Sequence, residues 1–165
     1  MRHPSVLALV LALTLATGPA FAGIADSPLP ELLPGQTTYH LYSVPGAMDT
    51  GCQRTFFSCT STDTAAMQVG VEVFGAIGGP AFNDAVGTSV NVNPGGSVLL
   101  GTSTATAFSI NSNVTGTLNS SFSARILATS KRLACTAFVT DVCNNPPMFG
   151  WQLTIIAKTK QKAAN

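Results

Sequence analysis

Four cysteines are the residues of this chain best placed to do chemistry, and their spacing narrows what that chemistry is. Cys52 and Cys59 lie seven positions apart, and Cys135 and Cys143 eight. Those gaps do not match the two-to-four-residue spacing of zinc knuckles, and no histidine lies near them, so a metal site is not expected. A redox pair needs Cys-x-x-Cys at a helix start, which is absent. Disulfides remain, and an even count suits them in an oxidising compartment. Two connectivities carry weight. Local pairing joins Cys52 to Cys59 and Cys135 to Cys143. Nested pairing joins Cys59 to Cys135 and Cys52 to Cys143, as two antiparallel segments in one register would, with one bulge absorbing a one-residue slip. Such a bridge between an early and a late strand would cross a sandwich with both inner sulfurs facing the core, as in immunoglobulin domains, here without their Cys-Trp-Cys spacing. Closing a long loop is worth roughly 4 to 5 kcal/mol against 2 to 3 for a short one, which favours nesting. Spacing alone leaves both schemes open.

The remaining reactive types are sparse. Beyond the N-terminal segment the only histidine is His40, between Tyr39 and Leu41, and no serine sits in a Gly-x-Ser-x-Gly elbow. A glycosidase-like carboxylate pair would have to come from Asp63, Glu72 and Asp84. Glu72 alternates with apolar neighbours and is expected on a solvated face, while Asp63 and Asp84 lie in turn-like stretches where they would bond their own backbone. Asn83-Asp84 offers two oxygen ligands, far from the six to eight of a calcium site. The glycines from Gly75 to Gly79 match neither a phosphate loop nor a dinucleotide fingerprint. No catalytic residue, cofactor or metal is expected, and the chain is read as a non-enzyme.

Binding leaves fainter marks. Tyr39, Tyr42 and Trp151 are candidate ligand contacts, because tyrosine and tryptophan suit wet interfaces and could form a platform for sugar rings. Asn113-Val114-Thr115 and Asn119-Ser120-Ser121 match the glycosylation acceptor pattern, which matters only in a eukaryotic secretory pathway. Lys158, Lys160 and Lys162 recur every second residue, a pattern that guards a terminal edge strand against pairing with another chain.

The compartment is set by the first 22 residues. Arg2 and His3 form a basic start, Val6 to Leu15 an apolar run, and Gly18-Pro19 breaks it before Ala20-Phe21-Ala22. This is a cleavable signal helix, too short to span a bilayer, with cleavage expected between Ala22 and Gly23. The product, Gly23 to Asn165, is expected to be secreted or periplasmic and not membrane-embedded. It carries seven basic residues against seven acidic ones. That neutrality lacks the basic stripe that nucleic acid would require.

The elements that must position these residues read as strands. Val69, Val71 and Val73 alternate with Gln68, Gly70 and Glu72; Phe122, Ala124, Ile126 and Ala128 alternate with Ser121, Ser123 and Arg125; and Trp151 to Lys158 alternates likewise. Further strands are expected at Thr37 to Val44, Gln53 to Thr60, Val90 to Val92, Ser97 to Leu100, Thr104 to Ile110 and Leu133 to Thr140. Gly78-Gly79-Pro80, Asn93-Pro94-Gly95-Gly96 and Asn144-Asn145-Pro146-Pro147 mark reversals. Short strands at this spacing, without intervening helices, predict an all-β antiparallel sandwich, immunoglobulin-like, with a jelly roll or small barrel as the alternative. Residues 23–36 read as a Pro-rich lead-in in which Ser27 and Pro28 could start a helical turn, 37–158 as one domain, and 159–165 as a flexible tail. Arg125 is a candidate ion-pair partner for Glu72 or Asp141. The expected role is structural, adhesive or binding, toward an extracellular protein or glycan, with a carbohydrate-binding module or a small secreted hydrolase as alternatives.

Overall fold

The computed structural model describes residues 23–25, 27–105, 107, 109–115 and 118–158. The signal segment up to Ala22, together with Lys160 and Lys162, lies outside them. The described residues contain ten strands and no helix: β1 (Tyr39–Thr50), β2 (Gln53–Ser61), β3 (Met67–Gly75), β4 (Val90–Val92), β5 (Ser97–Gly101), β6 (Ser112–Asn113), β7 (Ser120–Ala128), β8 (Leu133–Asp141), β9 (Gly150–Gln152) and β10 (Ile156–Ala157).

All ten belong to one mixed sheet that nearly closes into a barrel. On one side, β4, β3, β7, β1 and β10 lie in that order; on the other, β9, β8, β2, β5 and β6. Only the β5–β6 pairing is parallel. Two corners join the sides. At the first, the β1–β2 hairpin pairs only at its tip, Asp49 with Arg54 and Thr50 with Gln53, before the strands part. Thr55 fills the split: its hydroxyl donates to the Met48 carbonyl at 2.8 Å and accepts from the Met48 amide at 2.7 Å. At the second, the chain leaves β8 with Trp151 opposite Val139 and reaches β1 with Ala157 opposite Tyr42. The single strand expected from Trp151 to Lys158 is therefore broken, because Leu153 turns into the core between the two halves.

Other departures from the sequence expectation have local causes. β1 runs past Val44, where the strand was expected to end, because Pro45-Gly46 forms a bulge. Val44 opposes Ala124 and Ala47 opposes Phe122, so β1 carries one extra residue there, and Gly46 takes φ 72°. The segment expected as a strand at 104–110 forms none among its described residues; the pairing with β5 comes later, at Ser112–Asn113.

The interior is the apolar face that the alternation predicts: Val69, Val71 and Val73 of β3 pack with Ala124, Ile126 and Ala128 of β7, Phe57 of β2, and Ala137 and Val139 of β8. Burial of this size, at about 25 cal/mol per Å² of apolar surface, is what holds the strands together. The outer face of β3 and β7 is the larger correction. Glu72, expected on a solvated face, is buried together with Arg125, which pairs with it as one of its two expected ion-pair partners. Ile24, Ser27, Pro28 and Leu32, with the loop after β3, lie over that face, where Leu32, Ala85 and Leu127 form a second small cluster. Gly70 permits it, since a Cβ there would stand 3.0 Å from both Ala85 O and Leu32 Cδ2.

The cysteines form two bonds, Cys52–Cys143 and Cys59–Cys135. Cys59 and Cys135 are register partners in the β2–β8 ladder, which runs without a bulge from Gln53↔Asp141 to Ser61↔Leu133. The expected slip is real but falls outside the strands: Val142 N donates to Cys52 O at 2.9 Å, and Cys143 is one residue beyond. Both bonds tie neighbouring strands. Neither crosses the interior as an immunoglobulin inter-sheet bridge does.

Candidate functional site

Asp141, the last residue of β8, is 1% exposed and organises the loop that follows. Its Oδ1 accepts from Cys143 N at 2.9 Å, and its Oδ2 accepts from Asn144 Nδ2 at 2.5 Å and Met148 N at 3.3 Å. The Asn144 bond, followed by the Cys143 and Met148 amides, holds this carboxyl below the usual carboxylate value. On the return, Phe149 O accepts from Thr140 Oγ1 at 2.7 Å and from Asp141 N at 3.2 Å. The Cys52–Cys143 bond fixes the outgoing side to β2, and the loop contains a cis Asn145–Pro146 peptide.

This bracing leaves its apolar side chains outside. Met148 is 78% exposed, Phe149 43% and Trp151 41%. Phe149 and Trp151 stack with centroids 5.9 Å apart and planes at 19°. β9, which carries Trp151, pairs with β8 only. The result is a pre-ordered aromatic ledge beside a sheet edge, built from the residue types enriched at binding hot spots.

Of the three candidate contacts, only Trp151 lies here. Tyr42 donates its hydroxyl to Leu133 O at 2.5 Å, and Tyr39 lies under Lys131 Nζ, 4.7 Å from the ring centroid. Leu133 and Val139, which mark the Tyr42 and Trp151 positions on β8, are six residues apart, roughly 20 Å along a strand. The three rings therefore form no common platform. Met148 and Phe149 were missed in the sequence; the signal available was a Met-Phe pair between Pro147 and Gly150, an apolar dipeptide in a segment otherwise read as a turn.

The catalytic candidates are each occupied elsewhere. His40 Nε2 lies 3.0 Å from Ser43 Oγ, and Lys158 Nζ lies 3.3 Å from Nδ1. A lysine in that place inverts a Ser-His-Asp system: it donates to Nδ1, leaving the proton on Nε2, where a base must accept one. Burial, then the Lys158 and Arg125 charges, lower the His40 pKa to about 4. Asp63 accepts from Ser130 Oγ and from Thr64 N at 2.7 Å, and its pKa is lowered, chiefly by Ser130. Asp84 Oδ1 accepts from Val86 N and Gly87 N, closing its own turn. Glu72 is paired with Arg125, Asp49 lies 3.0 Å from Arg54 Nε, and Glu31 accepts from Gly35 N at 2.6 Å. Cys52, Asp141 and Cys143 cluster, but both sulfurs are in the disulfide.

No family model, curated protein or solved structure matches the chain.

Proposed function

We propose that this chain is an exported, non-catalytic binding protein whose contact surface is the Met148–Phe149–Trp151 ledge. One observation carries the reading: a buried carboxylate, a disulfide and five hydrogen bonds at the Asp141 end of β8 are spent on a loop whose largest apolar side chains remain in solvent. Ordering a loop before contact lowers the entropic cost of binding. The absence of a catalytic role is supported by the partners of Asp49, Asp63, Glu72, Asp84 and Asp141 and by the inverted His40 geometry, since a general acid needs a raised pKa.

The partner class is an extracellular protein or a glycan, and no nucleic acid. The stacked Phe149–Trp151 pair keeps carbohydrate open as the second reading, because a sugar ring can lie against an exposed aromatic face. Export by residues 1–22, with cleavage between Ala22 and Gly23, agrees with two disulfides, which belong to oxidising compartments. The architecture is read as an immunoglobulin-like sandwich bent toward a barrel, on the strength of two antiparallel strand groups meeting at corners. A glycan array and a screen of extracellular proteins, run with the oxidised mature chain, test the proposal. The expected result is a ligand whose binding falls at least about tenfold in Trp151→Ala, a hot-spot loss. A reproducible ligand indifferent to Trp151→Ala and Met148→Ala would place the contact surface elsewhere.

A further inference from the structure

Among the described residues Arg125 is the largest fully buried side chain, and most of its hydrogen bonds go to a single stretch of chain. Its Nε pairs with Glu72, directly opposite it in the β3–β7 register. One terminal nitrogen donates to Ile24 O at 3.3 Å and Ser27 O at 3.0 Å, the other to Pro28 O at 3.0 Å. The guanidinium also lies over the Phe74 ring, 5.1 Å from its centroid. Further along, Leu32 seats against Ala85 and Leu127 over Gly70.

This is how a groove can read a peptide through its backbone: main-chain carbonyls held by a fixed cation, and one apolar side chain in a pocket. The Ile24, Ser27 and Pro28 carbonyls accept from Arg125 because the chain closes a single turn here and does not continue into a helix. Ser27 directs its amide and hydroxyl back to Gly23 O, at 3.0 and 2.8 Å, instead of capping a helix at Pro28. The segment is also separable from the barrel, since Leu32 belongs to the small outer cluster and contributes nothing to the main core.

We infer that the outer face of β3 and β7 is a peptide-receiving groove, occupied here by Ile24, Ser27, Pro28 and Leu32 of the same chain, and that it accepts the same segment from a second copy, so that two copies can exchange straps. Three carbonyls and one leucine specify the occupant, and only this chain's own lead-in is shown to supply them in that order.

The probe is a labelled peptide of residues 23–36, added to the full mature chain carrying Leu32→Asp, which empties the pocket without touching the main core. Circular dichroism and a thermal melt verify that the variant is folded. The labelled peptide is expected to bind it one to one, and to bind the unsubstituted chain on the order of tenfold more weakly, because the tethered strap competes at millimolar effective concentration. A peptide itself carrying Leu32→Asp is expected not to bind. For exchange, the unsubstituted chain is concentrated and warmed below its melting midpoint, then sized with and without excess peptide. Dimers that excess peptide dissolves are the expected outcome. A folded Leu32→Asp chain that ignores the peptide, or binds the substituted peptide equally well, overturns the groove. Dimers untouched by excess peptide, or no dimer at all, overturn the exchange.

Discussion

Two regions of this protein solve one physical problem with opposite results. At the end of β8, buried Asp141 accepts from the amides of Cys143 and Met148; on the outer face of β7, buried Arg125 donates to the carbonyls of Ile24, Ser27 and Pro28. Each is a buried charge satisfied by main chain, and each fixes an irregular segment that no strand ladder holds. The segments then diverge. The strap turns Leu32 inward, where it is 3% exposed, whereas the β8–β9 loop turns Met148 outward at 78%. Covering a sheet face stabilises the fold that carries it. Holding apolar side chains in water does not, and it is this exposure that the proposed contact surface rests on.

The sharpest way to break this contrast is Arg125→Ala. Glu72 would be left as an uncompensated buried charge and three carbonyls would lose their donor, so a loss of about 3 to 5 kcal/mol is expected in denaturant unfolding. Protection of the β3 and β7 amides should fall with it in hydrogen exchange. A loss under about 1 kcal/mol would mean that the strap contributes little and that the two regions differ less than their geometry suggests.

Next in size are the disulfides. Their spans are 91 and 76 residues and they are nested, so either bond alone closes only about 15 residues beyond what the other already closes, worth about 3 kcal/mol. Replacing Cys59 and Cys135 by Ala, or Cys52 and Cys143 by Ala, should cost similar amounts in unfolding free energy. The two variants should separate in the ledge: only the second frees the loop after Asp141 and should weaken ligand binding there. Equal effects on binding would show that the ledge depends on global stability and not on its own bracing.

A smaller effect comes from His40, which packs at the edge of the strap-covered half. Its folded pKa of about 4 lies below the ordinary 6.5. The unfolded chain therefore takes up the proton first as pH falls. Stability is full above about 6.5, declines through the window between 6.5 and 4, and is flat with respect to this group below it. At a half-buried site screened by solvent, the total is on the order of 1 kcal/mol. His40→Gln should remove that slope from a pH series of melts, and Lys158→Gln should shrink it by removing one of the charges that lower the pKa.

These contrasts also show what the sequence could say. Period-two alternation located β3 and β7 nearly to the residue, because it reports which side chains share a face. It does not report what lies over that face. Glu72 was therefore placed in solvent, although its pairing with Arg125 was considered, and the covering strap was read only as a lead-in. The nested cysteine register was one of two schemes the positions left open, suggested by the constant sum that antiparallel partners share, and whether the bonds lie within a sheet or between sheets depends on strand order. The first strand was expected to end at Val44 and instead runs on through a bulge at Pro45-Gly46, because the same local chemistry serves a strand end and a bulge. Trp151 stood out as a lone tryptophan. Met148 and Phe149 did not, since a turn-like stretch with two prolines and two asparagines gives no sign that buried Asp141 will hold it rigid.

The smallest expected effect is local and bears most directly on the ledge. Trp151 is the chain's single tryptophan and stacks on Phe149, so its emission reports the loop. The Asp141 carboxyl is held below its ordinary value of 3.8, first by Asn144 and then by the loop amides. A depressed folded pKa means the bracing is present above the ordinary value and is lost as pH falls through the depressed one. Trp151 emission should therefore stay constant from neutral pH down to about 4 and change only below it, while Asp141→Asn should show the altered emission already at neutral pH, with little change in the global melt. Emission that shifts together with the His40-linked slope, between 6.5 and 4, would tie the ledge to the strap-covered half. Emission that is flat in both proteins would mean that the disulfide, and not the carboxylate, holds the aromatic pair in place.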